Sequence, residues 1–111
     1  MNVLNSVNSV TATTNDNTLD TDSILQAWNA MSVSFTIKNT GDTNSLSYEV
    51  IGGHTSDLSD GVVVQASDNV AAGAVGSYAV STAPFTFYGI KIVSTSAGNH
   101  TTSSILGRAK G

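Results

Sequence analysis

The sequence predicts an all-β protein, an antiparallel β-sandwich of seven to eight short strands, Ig-like or jelly-roll in architecture. Three observations predict it. Val33, Phe35 and Ile37 alternate with Ser32, Ser34, Thr36 and Lys38, and the pattern returns at Leu46, Tyr48 and Val50. A period of two puts an apolar face and a polar face on each run, as a half-buried strand requires. Turn-forming clusters recur roughly every 8–12 residues, the spacing of sandwiches rather than of α/β folds. A chain of 111 residues with 40% hydrophobic side chains also suits one core between two sheets.

The elements follow in order. Leu4-Asn5-Ser6-Val7-Asn8-Ser9-Val10 repeats Asn-Ser-Val and spaces its apolar residues by three. Asn, Ser and β-branched Val all disfavour an isolated helix. A strand is expected over Ser9–Thr14, with Met1–Asn8 as an extended arm that packs on something else. Residues 1–14 thus form an N-terminal arm and first strand, and residues 15–111 a single sandwich domain. Asn15-Asp16-Asn17-Thr18 is a turn cluster. Leu19–Met31 fits two patterns: Ile24, Leu25, Trp28 and Met31 share a helical face, whereas Ile24, Gln26, Trp28 and Ala30 share a strand face. Among so many strands, a strand with irregular flanks is the preferred reading, and Trp28 belongs to core or interface either way.

The alternating runs of 32–38 and 46–50 flank Asn39-Thr40-Gly41-Asp42-Thr43-Asn44, which predicts a hairpin. A polar loop spans residues 51–61, with glycines and aspartates suited to turns. Val62–Ala66 is a strand rich in β-branched residues. Asp68-Asn69 turns the chain, and Val70–Gly76 reads as an irregular crossing between sheets. Ser77–Ser81 is a strand with Tyr78 and Val80 on one face. After Pro84, Phe85–Val93 reads as the longest apolar strand. Its parity changes at Gly89, which predicts a β-bulge there. Ser96-Ala97-Gly98-Asn99 is a turn, and His100–Leu106 is the last strand.

The composition excludes several functions. Lys38, Lys91, Arg108 and Lys110 are scattered, and the net charge is −4, so nucleic acid and anionic membrane surfaces are poor partners. Without cysteine there is neither a disulfide framework nor a thiolate metal site. The first residues carry neither the basic nor the apolar region of a signal peptide, so synthesis in the cytoplasm is expected. Charged residues make up only 11%, and Ser, Thr and Asn replace them as the polar surface.

No catalytic, cofactor or metal residues are assigned. His54, Ser56 and Asp57 contain the letters of a triad, but neighbours on one loop do not give separately anchored groups. Asp16, Asp20 and Asp22 lack the glycine and closing carboxylate of a calcium loop, and Asp57 or Asp60 would only complete an irregular one. His54 and His100 have no cysteine to complete a zinc site, and nothing in the sequence supports a two-His site with an Asp. Asn99-His100-Thr101 matches the N-glycosylation pattern. Tyr48, Tyr78, Tyr88 and the three Phe are more simply core than a sugar platform. The candidate interface residues are Leu4, Val7 and Val10 on the arm, and Trp28.

The Ser34–Asp42 run, Ser-Phe-Thr-Ile-Lys-Asn-Thr-Gly-Asp, resembles the first hairpin of many Ig-like modules. More broadly, a short, cysteine-free, low-charge β-protein rich in Ser, Thr and Asn resembles the small auxiliary virion proteins of tailed bacteriophages. These include decoration or cement proteins. The resemblance implies a non-enzymatic structural role in the virion, the major capsid protein as partner, and a homo-oligomer, with a trimer favoured. A carbohydrate- or cell-surface-binding module, including tail or fibre adhesion, is the alternative.

Overall fold

Period-two alternation becomes eight strands in the computed structural model, which describes residues 3–13, 18–96 and 98–111, with side chains from Ser23 onward except at 97. They are β1 (Val3–Thr13), β2 (Thr18–Gln26), β3 (Ser32–Asn39), β4 (Leu46–Gly53), β5 (Val62–Val70), β6 (Val75–Val80), β7 (Phe87–Ser94) and β8 (Thr102–Lys110). They form two antiparallel four-stranded sheets, ordered β1-β8-β3-β6 and β2-β7-β4-β5. Every connection except β4–β5 crosses from one sheet to the other. That winding is a jelly roll. An Ig-like sandwich would seat β1 beside β2 in one sheet, so the Ig-like alternative is corrected.

The inner faces are those that alternation predicts. Val33, Phe35 and Ile37 from β3 and Ile105 and Ala109 from β8 face Leu46, Tyr48 and Val50 from β4 and Tyr88, Ile90 and Ile92 from β7. Each large apolar side chain so buried contributes roughly 1.5–3 kcal/mol relative to exposure. Gly107 lies directly opposite Phe35, and the ring covers it: a Cβ there would stand 2.6 Å from Phe35 Cε1.

The predicted hairpin around Asn39–Asn44 does not form. β3 lies between β8 and β6, and β4 between β7 and β5. The backbone leaving β3 stays with β8, since Thr40 N–H donates to Thr102 O at 2.9 Å. The chain then arches over the end of the sandwich, so that both apolar faces meet inside. A polar turn between two alternating runs is equally consistent with an arch and with a hairpin, so the local pattern does not set the pairing.

The bulge predicted at Gly89 is also absent. β7 runs in unbroken register with β4, with Tyr88, Ile90 and Ile92 all inward. Phe85 packs on the core from before the strand, while Phe87, inside it, is only half-buried, so the two do not extend one inner face. The irregularity sits instead on β2, between Asp20 opposite Ile90 and Leu25 opposite Tyr88. Ser23 repairs it: its hydroxyl accepts Ile90 N–H at 2.9 Å and donates to Ile90 O at 3.2 Å. Residues 19–31 hold strand β2 and then a turn, without helix. Asp68 and Asn69 belong to β5 rather than to a turn, opposite Tyr48 and Ser47. The chain reverses after Val70, where Ala74 N–H donates to Ala71 O at 2.9 Å.

Candidate interaction surface

Three connections meet at one end of the sandwich: 27–31 between β2 and β3, 54–61 between β4 and β5, and 81–86 between β6 and β7. Backbone bonds tie the first and third to each other and to the end of β8. Ala27 N–H donates to Thr86 O at 2.7 Å, Ala83 N–H to Met31 O at 3.0 Å, and Met31 N–H to Lys110 O at 2.7 Å. Asn29 turns the first connection with φ at 64°, a left-handed conformation that Asn tolerates better than most residues. The turn lifts Trp28 and Met31 off the core, leaving them 67% and 62% exposed. At the same end His54 meets Phe85 with tilted rings, centroids 5.5 Å apart, and its Nδ1 lies 3.0 Å from Thr86 Oγ1.

The loop under His54 is shaped by Asp60. Its carboxylate accepts the N–H groups of His54 and Thr55 at 3.0 and 3.1 Å and the Thr55 hydroxyl at 2.7 Å. Those donors hold the Asp60 carboxyl below the usual aspartate range, the Thr55 hydroxyl contributing most. Asp57 is lowered likewise, first by Ser59 N–H. Both carboxylates are therefore occupied in shaping the loop. Ser56 and Asp57 are exposed, and no bond joins either to His54, so the three letters of a triad make no relay.

The other end holds a shallow polar hollow of about 300 Å³, lined by Gly41, Asp42, Thr43, Asn44, His100, Thr101 and Thr102. His100 Nδ1 lies 2.6 Å from the Ser94 hydroxyl, while His54 sits at the opposite end, so the two histidines share no site. Among the described residues, no three His, Asp or Glu side chains come together as metal ligands. The side chains of Asp16, Asp20 and Asp22 lie outside the described residues. Asn99 of the glycosylation pattern is exposed, but the Thr101 hydroxyl is buried and donates to Asn39.

The tyrosines are interior. Tyr48 and Tyr88 are fully buried, and Tyr78 is half-buried with its ring 6.4 Å from that of Tyr88. Burial pushes the Tyr78 and Tyr88 hydroxyls above the usual phenol range. Of the predicted interface residues, Trp28 is thus the exposed aromatic, and it is not core. The backbone of β1 begins at the same end, with Val3 opposite Lys110, and then runs along β8 with Val7 opposite Gly107 and Val10 opposite Ile105. Leu4 falls at a register shift. The side chains of Leu4, Val7 and Val10 lie outside the described residues. Met31 was missed as a surface residue because its exposure depends on the Asn29 turn and not on any local pattern.

No family model and no curated protein matches this sequence. The fold has relatives among solved structures. PirA superposes with a TM-score of 0.56 at 17% identity, over 87% of this chain and 90% of that one. A protein of Bacillus endospore appendages, described as a novel family of disulfide-linked pili, gives 0.52 at 19%, over 97% and 88%. The SPBc2 prophage-derived protein YomS gives 0.52 at 8%, over 91% of each chain. At such identities the likeness establishes the fold: this chain is a small jelly-roll β-protein.

Proposed function

We propose that this chain is a non-enzymatic structural protein of a virion, a decoration protein that docks through its Trp28–Met31 end onto the shell built by a major capsid protein. The exposure of Trp28 beside Met31 carries the reading. Large apolar side chains held out of a core by a tied turn are the residue types that anchor interfaces. The rest of the surface supports it, because a polar face of Ser, Thr and Asn packs against a neighbour with little desolvation of charge. Two fold relatives are described as appendage pili and as prophage-derived, a setting in keeping with an assembled particle. This chain has no cysteine, so its assembly is non-covalent, unlike disulfide-linked pili.

Such a protein acts by mass action. Binding the assembled shell and not its separated subunits stabilises the shell by an amount that grows with the logarithm of free concentration over Kd. The test is cosedimentation with empty shells of the capsid protein encoded in the same genome. Wild type should bind saturably and raise the shell's melting temperature, and Trp28→Ala should do neither. Failure to bind the shell, together with saturable binding to a polysaccharide, would replace this reading with the adhesion module. The polar hollow at Asp42, Asn44 and His100 is where such a sugar would sit.

A further inference from the structure

The four edge strands differ in how they are guarded. Unpaired edges invite other strands, and proteins blunt them with bulges, charges or proline. β1 carries register shifts at Val3/Asn5 and Val7/Val10, β2 between Asp20 and Leu25, and β5 on both sides of Gln65, the partner of Val50 on β4. β6 carries none. It pairs with β3 without a break from Val33↔Val80 to Lys38↔Val75, and its sequence, Val-Gly-Ser-Tyr-Ala-Val, holds no charge and no proline.

The hydrogen-bond pattern shows what this edge offers. Asn39 N–H donates to Ala74 O at 3.0 Å, so along the ladder Gly76, Tyr78 and Val80 bond toward β3. Val75, Ser77 and Ala79 therefore turn their backbone N–H and C=O outward, and their side chains are exposed. Tyr48 Oη donates to Ser77 O at 3.0 Å from the inner layer, and a carbonyl has a second lone pair left for a neighbouring strand.

We infer that β6 is a self-pairing edge, and that its occupant is the β6 of a second copy of this chain, antiparallel about a two-fold axis through Ser77. That register sets Ser77 against Ser77 and Val75 against Ala79, so every outward backbone group of the three residues meets a partner. A chargeless strand is the self-complementary case: despite the net charge of −4, no like charges meet across the strand. A two-fold contact of one patch with itself closes as a dimer. The same rotation brings the two β5 edges together in the second layer, where Val62 and Val63 stand exposed. This pair replaces the trimer implied by the resemblance to decoration proteins, and it holds whatever the Trp28 end docks onto.

The experiment is sedimentation velocity on the full chain, with far-UV circular dichroism to check the fold. Wild type should sediment as a dimer, at twice 11.4 kDa. Ser77→Lys and Ser77→Glu each place like charges against each other on an exposed position, and each should give a folded monomer. An equimolar mixture of the two should recover the dimer. A wild-type monomer, a trimer, a dimer that Ser77→Lys leaves intact, or a mixture that stays monomeric overturns the inference.

Discussion

The Thr101 hydroxyl donates to Asn39 Oδ1 at 2.9 Å, joining two buried side chains 62 residues apart in the chain. Asn39 is otherwise fully engaged. Its Nδ2 donates to Asn44 O at 2.8 Å and to Val70 O at 3.0 Å, and Oδ1 also accepts Gly41 N–H at 3.0 Å. One amide thus ties the β3–β4 arch, the end of β5 and the start of β8. Gly41 is needed there because a Cβ would collide with the Thr101 hydroxyl.

Asn39→Leu keeps the branching of the side chain and removes each of its hydrogen bonds. It leaves several buried polar groups unpaired, at roughly 1–3 kcal/mol each before relaxation. The expected loss is about 3–4 kcal/mol, read as a lower urea midpoint, and Thr101→Val should lose about 1–2 kcal/mol. Equal midpoints for wild type and Asn39→Leu would refute the clamp.

Gly107→Ala should destabilise by about 1–3 kcal/mol, because the added methyl overpacks against the Phe35 ring. Gly73→Ala has open space around its Cβ but a φ of 76°, so its cost is backbone strain of about 1 kcal/mol. Thermal melts of the two variants separate these causes, since Phe35→Leu in the same chain should relieve only the first.

Trp28→Ala should change folding stability by less than about 0.5 kcal/mol, as an exposed side chain does. As the sole tryptophan, Trp28 also reports directly. Its emission in the free protein should be solvent-like and open to iodide quenching, and docking should shield it. A buried-type spectrum in the free protein contradicts the exposed turn.

The acid limb of stability should depend on Asp60. Donors from Thr55 and His54 lower its folded value below the unfolded one, so its contribution is complete above about pH 4. That contribution is lost as pH falls through the folded value. Asp57 titrates in the same direction. Melting temperature should fall as the pH drops below about 4, and Asp60→Asn should flatten that limb while lowering the plateau at neutral pH. An unchanged acid limb in the variant would assign the loss elsewhere.

The strands read over 32–38, 46–50 and 100–106 return as β3, β4 and β8, with β4 running on to Gly53 and β8 displaced to Thr102–Lys110. The inward sets Val33-Phe35-Ile37 and Leu46-Tyr48-Val50 were legible in the residues. Alternation is a local property, and it states which side of a strand is wet. The candidate surface was legible only as a choice at Trp28, where indole chemistry allows core or interface. The tertiary structure took Trp28 out of the core through bonds far apart in sequence, Ala27 to Thr86 and Met31 to Lys110, which lift the turn away from it.

By itself the sequence determined the class, a low-charge antiparallel β-protein whose polar face is made of Ser, Thr and Asn. Only the tertiary structure decided the pairing. The faces of β3 and β4 look the same whether the strands are neighbours in one sheet or opposed across two. Asn39 and Thr40, by bonding Val70, Thr101 and Thr102, hold β3 in the sheet opposite β4. Those partners lie 31 to 62 residues away, beyond the reach of any local pattern.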